Sequence, residues 1–146
     1  MSTINVGING FGRIGKCCFI ELFTDDNVCI KAININNLEL TDLEQYLNND
    51  SIHGKKEYIV EILSQNSVKI NKTHIHIFKS RNAKEMDWNH YKVDYLFETT
   101  GAYLTSEKAK EHNVKYICMS APPKDLDVTP IYCYGVNEND YKGESV

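Results

Sequence analysis

The fold of this chain is decided near its start, by the stretch Asn5-Val6-Gly7-Ile8-Asn9-Gly10-Phe11-Gly12-Arg13-Ile14-Gly15-Lys16. The apolar run from Ile4 to Ile8 predicts a short strand that leads into the pattern Gly10-x-Gly12-x-x-Gly15. Apolar residues then recur at helical spacing, which predicts an amphipathic helix with one face formed by Phe11, Ile14, Cys18 and Leu22. A glycine pattern between a strand and a helix is typical of a dinucleotide-binding turn.

Each glycine of this pattern has its own physical task. Gly10 permits the tight strand-to-helix turn, Gly12 lets a pyrophosphate approach the backbone, and Gly15 lets the helix pack closely on the strand. The free N–H groups and the dipole at the start of the helix favour the negative pyrophosphate. The sequence therefore predicts dinucleotide binding, and a glycine turn without a ligand is the alternative.

Composition narrows the class of protein. The chain has 146 residues, 42% hydrophobic and 25% charged, and we expect one domain over residues 1–146. A net charge of −4 argues against a nucleic-acid partner, and no apolar run approaches the roughly 20 residues of a membrane span. The five cysteines lack CxxC pairing and no secretory signal precedes them, so we expect reduced, mostly buried thiols in a cytoplasmic protein.

The rest of the chain alternates strand-like and helical segments. Val28–Asn34 follows the first helix and predicts a parallel βαβ unit. Later strands are predicted at 93–98 and 115–119, and an antiparallel meander at 57–63, 67–70 and 73–78. The expected fold class is α/β, a Rossmann-type doubly wound and mostly parallel sheet with an antiparallel meander insertion.

Two local features accompany these elements. Leu40, Leu43 and Leu47 predict a helix over 38–47, with a possible capping box formed by Thr41 and Glu44. His74 and His76 lie two residues apart on one predicted strand face, which we interpret as an exposed polar face. Two histidines without a third ligand make a poor metal site, so no metal residue is expected.

The chain resembles the phosphorylating glyceraldehyde-3-phosphate dehydrogenases. The similarity begins in Val6–Gly15 and recurs in segments that resemble the motifs Asp-Ser-x-His-Gly, Arg-x-Pro-x-x-(apolar)-x-Trp, Glu-Ser-Thr-Gly-x-Phe, Ser-Ala-Pro-x-Lys-Asp and a strand ending in Gly-Val-Asn. These segments start at Asp50, Arg81, Glu98, Ser120 and Thr129. The resemblance implies NAD as cofactor and an oxidoreductase of glycolysis as the complete protein.

The glycine motif, the predicted strand ends and the family resemblance together give one set of candidate cofactor-binding residues. Thr99, Thr100 and Gly101 are expected there because ligands of doubly wound sheets bind at the carboxyl ends of parallel strands. The resemblance implies that Arg81 and Tyr103 border the adenine, and that Ser120 and Ala121 approach the nicotinamide ribose. The full set is Asn9, Gly10, Phe11, Gly12, Arg13, Ile14, Gly15, Asn34, Ile35, Asn36, Arg81, Thr99, Thr100, Gly101, Tyr103, Ser120 and Ala121.

The end of the second strand departs from the family pattern. An acidic residue usually holds the ribose hydroxyls of NAD there, and this chain has Ile35 in its place. Asn36 or Asn37 could bind the ribose instead, or the site could be weakened. Losing the carboxylate also makes NADP possible, although we expect NAD to be preferred because no arginine follows closely in the sequence.

The family's catalytic machinery is not expected in this chain. Its nucleophilic cysteine lies in a Ser-Cys-Thr-Thr-Asn motif of the second, catalytic domain, and none of the five cysteines here matches that motif. We therefore expect cofactor binding without turnover, no catalytic residue, and self-association through surface that the missing half would cover. The alternatives are a fragment of the sister erythrose-4-phosphate dehydrogenase and a non-catalytic, truncated homologue with a regulatory or interaction role.

Overall fold

The computed structural model of the protein describes residues 3–146, which form seven strands and three α-helices. The strands are β1 Ile4–Asn9, β2 Val28–Asn34, β3 Val60–Ser64, β4 Ser67–Ile70, β5 Thr73–Phe78, β6 Tyr95–Glu98 and β7 Tyr116–Met119. The helices are α1 Arg13–Phe23, α2 Leu43–Asn48 and α3 Ser106–Ala109, with short 3-10 turns at Leu40–Asp42, Ala83–Glu85, Lys110–His112 and Glu138–Asp140.

All seven strands belong to one sheet with the order β3-β4-β5-β2-β1-β6-β7. The five strands from β5 to β7 in that order run parallel, whereas β3, β4 and β5 form an antiparallel meander. This confirms the predicted fold class. After β1 the chain moves to β2 on one side and returns later to β6 on the other, so β1 and β6 form the topological switch point where such sheets bind ligands.

Apolar side chains cover both faces of the sheet. On one face, Phe19 of α1 and Leu43 of α2 are buried in a cluster with Ile8 of β1. On the other face, Trp88 is fully buried in a second cluster. A Cβ at Gly7 would lie only 2.9 Å from the Trp88 ring, so the glycine in β1 makes room for the indole.

The buried face of α1 differs from the predicted one. The predicted face included Ile14, which is 52% exposed, whereas Gly15, Lys16, Phe19 and Ile20 are buried. The docking of Gly15 against the carbonyl of Gly10 rotates the helix so that Ile14 points away from the core. Periodicity alone allowed either orientation, because apolar residues lie on both flanks.

Two other local expectations are wrong. The capping box between Thr41 and Glu44 does not form, because the Glu44 carboxylate accepts a hydrogen bond from the Val60 N–H at 2.8 Å and ties α2 to β3. His76 is not on an exposed polar face: it is half-buried and stacks on the Tyr91 ring at a centroid distance of 4.0 Å. Its neighbour His74 is exposed, as expected.

The strand implied by the resemblance over 129–137 is also wrong, since this described segment forms turns and irregular backbone. The Asn137 side chain closes a loop by accepting from the Cys133 N–H at 2.7 Å, which competes with an extended conformation. The edge of β7 instead pairs at one point with the tail, where the Ile117 N–H donates to the Ser145 carbonyl at 2.8 Å.

The cysteine prediction holds only in part. All five are free thiols, but they are less buried than expected: Cys118 and Cys133 are exposed, and the other three are half-buried. Cys118 lies in β7 as predicted, whereas Cys133 lies in the irregular segment.

Candidate dinucleotide site

The glycine turn between β1 and α1 is closely packed at two positions and open at the third. Gly10 has a φ of +94°, which disfavours any residue with a side chain. A Cβ at Gly15 would lie 2.0 Å from the Gly10 carbonyl oxygen, closer than any real contact. A Cβ at Gly12 would meet no atom within 4 Å, so the backbone there faces open space. This is the space that a pyrophosphate needs for close approach.

The start of α1 is presented to that open space. Gly12 caps the helix, Arg13 and Ile14 are exposed, and the first turn contains no acidic residue. Phe11, by contrast, is buried against Phe19 in an edge-on contact and anchors the turn. The exposed N–H groups of the first turn and the dipole of an eleven-residue helix favour an anion here.

Buried polar side chains connect the carboxyl ends of β2, β1 and β6. Asn34, Asn9 and Glu98 each expose 2% or less of their surface. The Asn34 amide donates to the Asn9 side-chain oxygen at 2.7 Å and to the Ser80 carbonyl at 2.7 Å. The Asn9 amide in turn donates to a Glu98 carboxylate oxygen. The three strand ends are therefore joined directly through side chains.

His112 packs behind Glu98 and completes this network. Its Nε2 lies 3.2 Å from the Glu98 carboxylate, and the Trp88 indole N–H donates to its Nδ1 at 3.3 Å. Burial alone would raise the pKa of Glu98, but hydrogen bonds from His112, Thr100 and Asn9 prevail and hold that pKa below its ordinary value. Glu98 is therefore an ionised carboxylate buried beside the glycine turn.

The loop after β6 packs against the glycine turn through its threonines. The Thr99 hydroxyl lies within 2.9 Å of the carbonyl oxygens of Asn9 and Gly10, and the Thr100 hydroxyl donates to Glu98. Both hydroxyl hydrogens are thus used inside the protein. Gly101, with a φ of +69°, has open space where its Cβ would be. This loop can therefore contact a ligand through its backbone and through the remaining lone pairs of the hydroxyls.

The residues expected on the adenosine side fall into a buried and an exposed group. Ile35 is 1% exposed and belongs to the core cluster beside α1 and α2, so its side chain offers no polar contact. Asn36 and Arg81 are exposed. The Tyr103 hydroxyl donates to the Arg81 carbonyl at 2.9 Å, which brings together two candidates far apart in sequence.

Ser120 and Ala121 lie at the carboxyl end of β7, on the far side of β6 from the glycine turn. The Ser120 N–H donates to the Glu98 carbonyl at 2.9 Å, which fixes this loop to the end of β6. The structure thus places every candidate site residue at the carboxyl edge of β1, β2, β5, β6 or β7, or in the loop that follows one of them. Sequence reasoning missed Glu98 and His112 as site residues. Glu98 lay in a quoted motif, and nothing in the sequence distinguished His112.

Neither a cluster of metal ligands nor a membrane-spanning helix is found among the described residues. Between residues 3 and 146, no group of three or more His, Cys, Asp or Glu side chains is arranged to hold a metal ion. None of the helices in the same part of the chain is long and apolar enough to cross a membrane.

Comparison with known proteins agrees with this geometry. The family described as glyceraldehyde 3-phosphate dehydrogenase, NAD binding domain, matches residues 4–106. The chain belongs to this family. The match covers β1 to β6 and so includes the glycine turn, Asn34 and the loop after β6.

Several relatives share the family along nearly the whole chain. Glyceraldehyde-3-phosphate dehydrogenase 2 of Trichoderma koningii is 36% identical over 99% of this chain and 43% of its own length. The cytosolic glyceraldehyde-3-phosphate dehydrogenase of Taxus baccata is 34% identical over 97% of this chain and 42% of its own length. The enzyme of Bacteroides fragilis is 35% identical over 98% of the chain. The chain therefore spans about 43% of the length of such relatives.

Proposed function

We propose that this chain binds NAD in the crevice between the carboxyl ends of β1 and β6, as one Rossmann-type domain over residues 1–146. The observation that carries the proposal is the glycine turn. Gly10 and Gly15 are held by contacts that exclude a Cβ, whereas Gly12 faces open space at the start of α1. That combination accepts a pyrophosphate against the backbone.

Named residues would hold each part of the cofactor. The backbone from Gly10 to Gly15 would hold the pyrophosphate, with Arg13 beside it. Asn36, Arg81 and Tyr103 would border the adenosine, since they lie at the carboxyl ends of β2 and β5 or contact that loop. Thr99, Thr100 and Gly101 would border the centre, and Ser120 and Ala121 the nicotinamide ribose. The bound nicotinamide supplies the hydride acceptor; the protein supplies orientation.

The choice between NAD and NADP depends on the end of β2. Because Ile35 is buried, no carboxylate stands at this position to repel a 2′-phosphate. Ser80 hydrogen-bonds to Asn34 and so holds the following Arg81 near the same strand end. We place NAD first, with NADP accepted at an affinity within about tenfold, because only a modest charge effect separates the two.

Calorimetric titration of the purified chain with NAD, and then with NADP, tests the proposal. Saturable binding of NAD is the expected result, and a Gly12→Val variant should abolish it because the branched side chain would fill the open space. No binding of either nucleotide by the folded parent would refute the proposal. A preference for NAD of a thousandfold or more would refute the inference drawn from Ile35.

For the complete protein we propose glyceraldehyde-3-phosphate dehydrogenase activity, with this chain alone inactive. The family supports the activity, and the absence of the Ser-Cys-Thr-Thr motif from the sequence supports the inactivity. Substrate-dependent formation of NADH, followed by absorbance, should be undetectable; robust turnover would contradict this. Erythrose-4-phosphate dehydrogenase is the alternative enzyme. A non-catalytic homologue is favoured only by Ile35, and gene sequence beyond Val146 would decide between them.

We also propose that the chain associates with itself in the cytoplasm. The supporting observation is apolar surface in the irregular segment after β7, where Leu126, Val128 and Val136 are 66%, 65% and 79% exposed. Burial of this surface between two copies would stabilise a dimer. The net charge of −4 provides no basic surface for a nucleic-acid partner, and we propose no membrane partner either. Light scattering that gives a monomer mass at high concentration would contradict self-association.

A further inference from the structure

The buried network beside the glycine turn has a fixed hydrogen-bond direction. On one side it begins at a backbone group: the Ser80 N–H donates to the Asn34 side-chain oxygen at 3.2 Å. The Asn34 amide must therefore donate onward to Asn9, and the Asn9 amide must donate to Glu98. A backbone N–H cannot act as an acceptor, so neither asparagine can reverse its direction.

A second chain of hydrogen bonds reaches Glu98 from the opposite side. The Trp88 indole nitrogen is a donor only, and it donates to Nδ1 of His112 at 3.3 Å. His112 is thereby held in the tautomer that carries its hydrogen on Nε2, which lies 3.2 Å from Glu98. The Thr100 backbone N–H adds a further donor at 2.7 Å, and its hydroxyl adds another.

Both chains therefore end on a group that must accept and never donate. Each Glu98 oxygen accepts two hydrogen bonds: one oxygen from Thr100, the other from Asn9 and His112. An ionised carboxylate meets this requirement with its four lone-pair sites, whereas an amide of the same shape would direct hydrogens at two of the donors. Shape alone is not enough at this position; the acceptor character is required.

We propose that the Glu98 carboxylate is the positioning residue of the nucleotide site, fixing the glycine turn and the loop after β6 in one arrangement. Through Asn9 and Asn34 it also fixes the loop that carries Arg81. The positions of the two ends of the crevice are therefore coupled through this hydrogen-bond network. This inference rests on the proposed function for its effect on binding, but its effect on the loop is measurable without any nucleotide.

The test compares four forms of the full chain. Glu98→Gln keeps the size and removes the acceptor character, and Glu57→Gln is the matched control on an exposed glutamate. The double variant Asn9→Asp/Glu98→Gln exchanges the acid and the amide, so the hydrogens at position 98 again meet a carboxylate. The same carboxylate can accept from His112, whose Nε2 lies 3.3 Å from the side-chain nitrogen of Asn9. We expect NAD affinity to fall at least tenfold in Glu98→Gln, to be unchanged in Glu57→Gln, and to recover largely in the double variant.

A nucleotide-free readout accompanies binding. Nitrogen NMR of the His112 ring and of the Thr100 amide should show both groups changed in Glu98→Gln and largely restored in the double variant. If the parent itself fails to bind NAD, the proposed function fails, and these spectra still decide whether Glu98 fixes the loop. Unchanged spectra together with unchanged affinity in Glu98→Gln would overturn the inference.

A second pair of variants covers the case in which Glu98→Gln does not fold. Thr100→Ser keeps the hydroxyl that donates to Glu98, and Thr100→Val removes it at nearly constant size. We expect Thr100→Val to bind NAD several-fold more weakly than Thr100→Ser. Equal affinity in the two would overturn the inference, because the hydroxyl would then be irrelevant to the shape of the loop.

Discussion

Replacement of Gly15 by alanine tests the glycine turn most directly. The added Cβ would lie 2.0 Å from the Gly10 carbonyl oxygen, 2.8 Å from the Thr99 hydroxyl and 3.0 Å from the Gly10 carbonyl carbon. Two of these atoms belong to the backbone, which cannot move aside as a flexible side chain would. Helix α1 must therefore shift away from the end of β1, against the packing of Phe19 in the core.

The magnitude follows from two opposing effects. Overpacking of this kind costs about 1–3 kcal/mol and occasionally more. Alanine in a helix gains about 1 kcal/mol over glycine. Because the 2.0 Å approach is severe and involves backbone, we take the upper end of the cost and expect a net loss of about 2 kcal/mol. For a chain of 146 residues this lowers Tm by roughly 4–8 °C.

Gly12→Ala is the matched control for Gly15→Ala. Its Cβ would meet no atom within 4 Å, and Gly12 has a φ of −81°, which alanine adopts readily. We therefore expect Tm to stay within about 2 °C of the parent, or to rise slightly because the unfolded chain loses freedom. NAD affinity should nevertheless fall, since the methyl group occupies the space proposed for the pyrophosphate. Thermal unfolding by circular dichroism and calorimetric titration measure the two effects.

Opposite outcomes would refute this reasoning. If Gly15→Ala were as stable as the parent, the close contact with Gly10 would not exist as described. If Gly12→Ala bound NAD as tightly as the parent, the open space beside Gly12 would not be the pyrophosphate site. Each variant thus tests one half of the argument, and the parent's own unfolding curve serves both.

Three further predictions concern single residues. The pKa of Glu98 is lowered in the folded chain, so the ionised carboxylate contributes fully to stability above the ordinary pKa of a glutamate, and this contribution is lost as pH falls below about 4.3. In urea unfolding, the difference in free energy of unfolding between the parent and Glu98→Gln should therefore shrink toward pH 3. A difference that does not change with pH would contradict this. Ile35→Asp should lower the free energy of unfolding by roughly 3 kcal/mol or more, because it places a carboxylate in the core. An unchanged Tm together with tighter NAD binding would show that this side chain faces the ribose instead. Thr105→Ala should lower the free energy of unfolding by about 1 kcal/mol, because the Thr105 hydroxyl caps α3 by accepting from the Lys108 N–H at 3.3 Å. Thr105→Ser keeps a hydroxyl and should keep the stability of the parent. Equal unfolding midpoints for the two variants would exclude the cap.

Much of the fold could be predicted because its signals are local. The glycine pattern and the apolar runs define β1, α1, β2 and the meander, and the bounds of β4 and β5 agree with prediction to the residue. The parallel pairing of β1 with β2 follows from the intervening helix and the right-handed crossover. Because such features depend on neighbours within a few residues, they can be recognised in the sequence.

Elements decided by competing hydrogen bonds could not be predicted in the same way. The resemblance implies a strand over 129–137, but within the described chain the loop closed by Asn137 replaces it. Glu44 has the right spacing for a capping box, but the Val60 N–H competes successfully for its carboxylate. For Glu44, a capping preference of about 1 kcal/mol was exceeded by a tertiary contact that the sequence does not reveal. For Asn137, a hydrogen bond between residues four apart competes with the extended strand.

In the candidate site, too, local features could be predicted from the sequence and tertiary contacts could not. The sequence by itself determined the glycine turn and the cofactor class, because strand, glycines and helix are consecutive and each glycine answers a steric need of the backbone. Only the tertiary structure decided that Ile35 turns into the core and that Glu98 receives hydrogen bonds from Asn9, Thr100 and His112. Those side chains come from separate elements, and the hydrogen-bond direction between them exists only once the parallel strands align their carboxyl ends.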